Sequence, residues 1–414
     1  MIIENPFSSE GFKSVWLKHF KSKDQPISFD CISNLDFVKH PKWSVHVNVG
    51  STLTKGIDYC LNEKGQCSLD GKTLIVYDVP TYFNINTSYL PEGFKFLKSK
   101  QYPGFLIDTE KYKSLDEYMQ DRFSKSSRNK NRKYLRRLET SFNISYKMWY
   151  GEITKDEHEY IFKAFKRLLE KRFTDKETTN NNLDPKEWSF YYDVSYKLIH
   201  EKKASLFVVY DNDEPIGVTL CYFSEDILFD AITVFDIDYF KFHLGAVTIM
   251  KLIEWCTENG IKKLDFSKGY FEYKTRWCTL SYDFEYHIYY DSKSIKSKIT
   301  AHTIKRFYDF KQTLREKNIN ERLHRFTYKL KNKKGEQQEK LKYNFEEIEQ
   351  NKFQDEKVHL SKSEYDNELK LLLFEYLYLY QENYNNIKLH KVKSKDQSFI
   401  IEGKSTSVLA TIDA

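Results

Sequence analysis

Residues 227–277 read ILFDAITVFD (227–236), IDYFKFHLGA (237–246), VTIMKLIEWCTENG (247–260), IKKLDF (261–266) and SKGYFEYKTRW (267–277). The first block is apolar and β-branched, as strands are. The third places apolar residues at helical spacing and ends at Asn259–Gly260, where glycine supplies the left-handed cap. The fourth is a short strand, and the fifth opens on a glycine turn. A strand feeding a helix through a glycine-bearing loop sets backbone N–H groups and the positive end of the helix dipole at the mouth of a sheet. An anionic group such as a phosphate fits there. Gly245 opens this helix, and Lys241 adds a cation to the loop.

Three strands precede this stretch. ASLFVVYD (204–211), PIGVTLCYF (215–223) and ILFDAITVF are separated by the short turns Asn212–Asp213 and Ser224–Asp226, which predicts an antiparallel meander. Two helices come before them. One spans Thr154–Arg172, and the other starts at Asp184–Pro185, a capping residue followed by a good first residue. YDFEYHIYY (282–290) alternates as a closing strand. Nearer the start, Phe12–Phe20 reads as an amphipathic helix, and SVHVNV, KTLIVYDV and GFLIDT read as strands. Ser114–Glu139 reads as one helix, capped by Ser114 and Glu117 and crowded with Arg and Lys. Beyond Ser292 the chain is basic and helical to about Lys334, then rich in Glu and Lys. A Leu/Tyr-rich helix follows over Glu368–Glu382, and SFIIEG…SVLATI reads as a closing hairpin.

A length of 414 residues allows two to three domains, and a net charge of +6 is mild for that length. Six cysteines without a Cys-x-x-Cys or Cys/His pattern argue against zinc, and no metal is expected. Cys221 and Cys256 read as buried thiols, which fits a reducing cytoplasm. The opening MIIENPFSSEGF lacks a basic region followed by an apolar one, so no signal peptide is expected. LLLFEYLYLY is too short for a membrane span, so no transmembrane segment is expected. Gly-x-Ser-x-Gly, Walker-type, His-Glu-x-x-His and dinucleotide fingerprints are absent, which weakens hydrolase, kinase, protease and dehydrogenase readings.

The order helix, helix, three meander strands, glycine-loop helix, strand, short helix, strand over residues 150–290 resembles the GNAT acyltransferase fold. YFKFHLGAVTIMKLIEWCTENGIKKLDFSKGYFEYKTRW is similar to one group within it: acetyltransferases linked to cellulose or exopolysaccharide synthesis, related to FemAB-type aminoacyl transferases and often built of two tandem units. The opening NPFSSEGFKSVWLKHF, the basic helix Arg128–Glu139 and Lys171–Arg172–Phe173 resemble further signatures of that group. The usual phosphate loop is reduced here to Lys241–Ala246, with a single glycine. The resemblance covers roughly residues 5–290.

It implies an α/β (α+β) architecture of tandem GNAT-like domains, each a mostly antiparallel mixed sheet flanked by helices, with a helical, charged C-terminal extension. The expected divisions are 1–112, a basic connector 113–145, the transferase domain 146–292, and the extension 293–414. Acetyl-CoA is the implied co-substrate, held by Val234, Lys241, His243, Leu244, Gly245 and Ala246. Asp265 and Glu272 are candidate bases, Tyr273 a candidate acid, and Lys274 a candidate for oxyanion stabilisation. Arg128, Arg172, Lys268 and Arg276 are candidate substrate ligands. The acceptor implied is a sugar or a cell-envelope precursor, attacked directly, because Cys256 and Cys278 lack a paired histidine. Two alternatives stay open: transfer from aminoacyl-tRNA, and a non-catalytic binder of nucleic acid or an anionic membrane surface built on the same scaffold.

Overall fold

The computed structural model describes residues 4–62, 68–88, 90–175, 181–317, 342–349, 357–395 and 397–413. A 12-stranded sheet runs through the body. Its first half holds β1 (Ile27–Phe29), β2 (Ile32–Lys39), β3 (His46–Asn48), β4 (Cys60–Leu61), β5 (Thr73–Pro80) and β6 (Phe94–Asp108). Its second half holds β7 (Ile144–Trp149), β8 (Ala204–Asp211), β9 (Glu214–Ser224), β10 (Ile227–Phe235), β11 (Lys263–Lys268) and β12 (Leu280–Asp291). The order is β1-β2-β3-β5-β12-β6-β11-β10-β9-β8-β7, with β4 on β2. The pairs β3–β5 and β10–β11 are parallel; the other recorded pairs in this sheet are antiparallel.

The two halves exchange strands. β12 lies between β5 and β6, and β6 lies between β12 and β11. Register runs from Leu280↔Leu106 to Asp291↔Phe94 with one shift near Asp283. The expected tandem α/β units therefore share one hydrogen-bonded sheet. Along β12 burial alternates as far as Tyr286 and then becomes continuous, because α8 (Ile295–Glu316) covers the second face. From α8, Ala301, Ile304 and Tyr308 point inward; Tyr308 stacks on Tyr286 at 3.8 Å and shares a hydrogen bond with Tyr77.

On the first half, α1 (Glu10–Phe20) packs against α5 (Pro185–His200), with Phe12 and Phe190 in edge contact. Asp184 caps α5 and Pro185 begins it, as the sequence predicts. The basic segment expected as one helix is two: α2 (Leu115–Arg122) and α3 (Lys125–Ser141). Phe123 takes an extended conformation to set its ring against Trp277, and Ser124 then caps a new helix. α4 (Lys155–Asp175) and α6 (Leu244–Glu258) lie against the second half.

The C-terminal extension, expected as helical and charged, also contains a five-stranded antiparallel sheet. Its order is β13 (Lys342–Glu347), β17 (Ser407–Asp413), β16 (Ser398–Glu402), β15 (Lys388–Val392), β14 (Lys357–Leu360). The predicted hairpin is β16–β17. The predicted last helix is α9 (Asn367–Tyr380), whose Leu372, Leu373, Phe374 and Leu377 are buried. Phe374 meets Phe142 and Tyr239, so α9 joins this small sheet to the body. Cys31 is disulfide-bonded, which departs from the reduced thiols the sequence suggested, whereas Cys60, Cys221, Cys256 and Cys278 are free.

Gly104 of β6 sits directly beneath the ring of Tyr282 on β12; a Cβ there would lie 2.3–2.6 Å from that ring. The ring cannot retreat without breaking its hydroxyl contacts to Asp265. Gly104→Ala is expected to destabilise the chain by about 1–3 kcal/mol through overpacking, read as a lower midpoint in thermal or urea unfolding.

Candidate active site

The parallel pairing of β10 with β11 stops at Phe229↔Asp265. From there β10 follows β9 to Phe235↔Gly217, while β11 leans towards β6 and pairs Lys268 with Gly104. Both strands are irregular at the parting, between Asp230 and Ile232 and between Asp265 and Lys268. Ser267 adopts the left-handed conformation there (φ 59°). The result is a fork whose inner edges are no longer paired with each other.

Charged groups gather at the base of the fork. Asp265 is fully buried. It accepts from the hydroxyls of Tyr82 (2.8 Å) and Tyr282 (2.7 Å) and from the Ser267 N–H (2.7 Å). Burial lifts its carboxyl to about 6 against the pull of those bonds. Lys274, on the short helix α7 (Glu272–Trp277), is also buried. Its ammonium donates to the carbonyls of Phe266 (2.6 Å), Lys268 (3.1 Å) and Ser267 (3.4 Å). Burial draws it down to about 8, with Asp230 and Asp265 pulling the other way. Asp230 is buried one residue past the last β10–β11 pair. Burial raises its carboxyl, while a hydrogen bond from Thr233 and the charges of Lys274 and Lys55 oppose the rise.

The first half of the chain supplies the other wall. Asp78 on β5 is fully buried with φ 61°, accepts from Thr54 (2.9 Å), and pairs with Lys268 across the two halves. Losing Lys268 leaves the buried Asp78 carboxylate without its cation, worth about 3–5 kcal/mol, whereas Lys268 itself is partly exposed. Lys55 is drawn down to about 8 by burial and by Lys268 and Lys274. Among the described residues its ammonium makes no hydrogen bond or ion pair. Glu187, on α5, is raised by burial and by Asp184, with Lys55 opposing.

The helix side completes the cleft. The loop expected before α6 is a 3-10 turn, Ile237–Phe242, and His243 follows it in the left-handed conformation without capping the helix by its side chain. At the start of α6 the N–H groups of Ala246 and Val247 donate to the His243 carbonyl (2.8 and 3.2 Å), which leaves those of Leu244 and Gly245 without an acceptor in the helix. Gly245 lets the Phe235 ring lie against that turn; a Cβ would stand 2.8 Å from it. The guanidinium of Arg172 rests on the same ring at 4.8 Å. Tyr273 lies close enough to both Asp230 and Arg172 to feel their charges, and burial raises its hydroxyl. His243 stacks on Tyr134 of α3 at 3.8 Å and is lowered by burial and by Lys130. Lys125, Ser126, Asn129, Lys130 and Lys133 line an open groove on α3.

The fork thus brings together Asp265, Lys268, Tyr273, Lys274 and Arg172 from the sequence reading, with Gly245 and Ala246 at the helix start. Leu244 and Val234 are core residues there. Several predicted groups are committed elsewhere. Lys241 pairs with Glu375 of α9 at 2.8 Å, so the extension holds the cation expected for the phosphate. Glu272 is exposed and pairs with Arg276. Arg128 turns back to the Phe123 carbonyl (2.8 Å), closing the end of α2. Asp265 and Lys274 have their hydrogen-bonding atoms turned to protein partners, which suits holding the fork more than reacting in it. Lys55, Asp78, Tyr82, Glu187 and Asp230 were missed. A carboxylate inside an apolar strand, as in ILFDAITVF or TLIVYDV, was the available signal for two of them; Lys55 carried none.

Residues 125–275 match the family model described as the acetyltransferase (GNAT) domain. No curated protein matches the chain in sequence. Solved structures that resemble it include a conserved protein of unknown function from Bacteroides thetaiotaomicron (TM-score 0.46, 11% identity, covering 69% of this chain and 91% of that one). Another is L-PGS from Bacillus licheniformis (TM-score 0.43, 13% identity, 75% and 99%). A third is FemX (TM-score 0.42, 12% identity, 61% and 83%).

The lowered lysines set a stability trend. Lys55 and Lys274 sit near 8 when folded and at the ordinary 10.5 when unfolded. Between those values the unfolded chain binds more protons, so stability rises with pH across that window. Lys55→Met and Lys274→Met are each expected to flatten the rise in unfolding free energy from pH 8 to 10. Lys274→Met also leaves three carbonyls without their donor and lowers stability at pH 7 by about 1–3 kcal/mol.

Proposed function

We propose that this chain is a GNAT-type acyltransferase that moves an acetyl group from acetyl-CoA to an amine or hydroxyl of a sugar or cell-envelope precursor. The observation carrying this reading is the fork. Two parallel strands part beside the N-terminus of α6, and a buried carboxylate stands at their divergence. The unpaired edges of β10 and β11 suit an extended amide-bearing arm, and the α6 turn suits its phosphates. The co-substrate supplies a carbonyl activated as a thioester.

In this reading Asp230 accepts the proton of the attacking N–H or O–H as the new C–N or C–O bond forms and the C–S bond breaks. Its raised affinity for protons suits that task. Lys55, near 8, returns a proton to the departing alkyl thiolate, which is the more basic of the two. Tyr273 and Arg172 orient the donor beside Phe235. Asp265, Lys268 and Lys274 are positioning residues: they pin the β11–α7 turn and tie it to β5.

The basic groove on α3 supports a second reading, transfer from an aminoacyl-tRNA, because a long polyanion engages such a face more fully than a single cofactor does. Titration calorimetry with acetyl-CoA and with aminoacyl-tRNA separates the two. Tight acetyl-CoA binding with weak, salt-sensitive tRNA binding supports the first, and the reverse supports the second. Asp230→Asn is expected to keep the fold and the donor affinity while lowering kcat about 10²–10⁴-fold and removing the acid limb of its pH profile. Unchanged kcat removes Asp230 from the reaction.

A further inference from the structure

We propose that α8 docks the protein on an anionic lipid bilayer. This rests on the outer face of the helix and is independent of which donor the cleft uses. The inner face is packed on β6 and β12 through Ser297, Ala301, Ile304 and Tyr308. On the opposite side Ile295 and Phe310 are 78% and 63% exposed, and Ile299 and Phe307 are exposed as well. Successive members are three, four or eight residues apart, so they share one side of the helix. Lys296 and Arg306 are exposed on the same surface. Of the carboxylates on α8, Asp309 is held by Lys305 and by the Ser99 hydroxyl, and Glu316 accepts from Gln312.

An amphipathic helix that offers large apolar side chains among cations, with its carboxylates engaged from within, matches the headgroup–acyl boundary of an acidic membrane. Phosphate headgroups meet the cations, and acyl chains take the isoleucine and phenylalanine side chains. Nucleic acid fits less well. Its phosphates suit the cations and its bases can stack on phenylalanine, but Ile295 and Ile299 gain nothing from a phosphodiester backbone. Among the described residues no helix is long and apolar enough to cross a membrane. The contact proposed is one in which α8 lies along the surface.

The test is co-sedimentation of the full chain with vesicles of phosphatidylcholine alone or mixed equally with phosphatidylglycerol. The expected result is binding to the mixed vesicles that weakens with salt, and little binding to phosphatidylcholine alone. Ile299→Asp combined with Phe310→Asp is expected to lower vesicle affinity about tenfold or more, with unchanged circular dichroism and melting because both side chains are exposed. Ile299→Ser with Phe310→Ser removes the apolar part without adding charge and is expected to act in the same direction. Absence of binding to mixed vesicles overturns the proposal, as does binding that survives both double variants. Affinity for a single-stranded oligonucleotide in place of vesicles, or a dimer that the variants dissociate, overturns it too. Transferase activity on a soluble acceptor stays at the wild-type level in these variants, so the outcome is separable from that of the cleft.

Discussion

Backbone pairing between β6 and β12 is the constraint on which the rest of the molecule depends. β12 belongs by sequence to the second half, yet it is bonded on both edges by strands of the first. β6 reciprocates by closing the edge of β11. Neither half can then present its own side of the fork without the other, because the strand beside β11 is supplied by the partner half. The tight seat of Tyr282 over Gly104 and its bonds to Asp265 place a side-chain network directly on that seam.

The charges at the fork follow from the same arrangement. Asp78, Asp230, Asp265, Lys268 and Lys274 are drawn from β5, β10, β11 and α7, and all but Lys268 are buried. Buried away from solvent, each of these charges must find a protein partner or shift its proton affinity. Asp78 finds Lys268. Lys274 finds three carbonyls. Asp265 finds two tyrosines. Asp230, with one hydrogen bond from Thr233, and Lys55, with none to its ammonium among the described residues, are left with the weakest internal compensation. The price is paid in stability, as is common where a site is built from shifted groups.

The extension reaches the same region from outside. α9 packs its aromatic face on the 3-10 turn before α6, and Glu375 takes Lys241. Lys241 is therefore held by the extension and is not a free cation of the loop before α6.

Much of this was legible from residues 227–277. The apolar runs, the Asn259–Gly260 stop and the single glycine at 245 fixed a strand, a helix and a second strand in that order, because each depends on local propensity and spacing. The meander and the caps at Ser114 and Asp184 were legible for the same reason. The break at Phe123 was not, since it arises from a ring packing against Trp277, far along the chain. Nor was the exchange of β6 and β12, because strand partners are chosen by tertiary contact and an alternating pattern does not name them. The buried charged groups divide likewise. The sequence by itself determined that Asp265, Tyr273 and Lys274 lie near a glycine turn. Only the tertiary structure decided that Asp265 and Lys274 each hold three protein partners while Asp230 holds Thr233 alone and the Lys55 ammonium none among the described residues, because desolvation and partner supply depend on which surfaces meet.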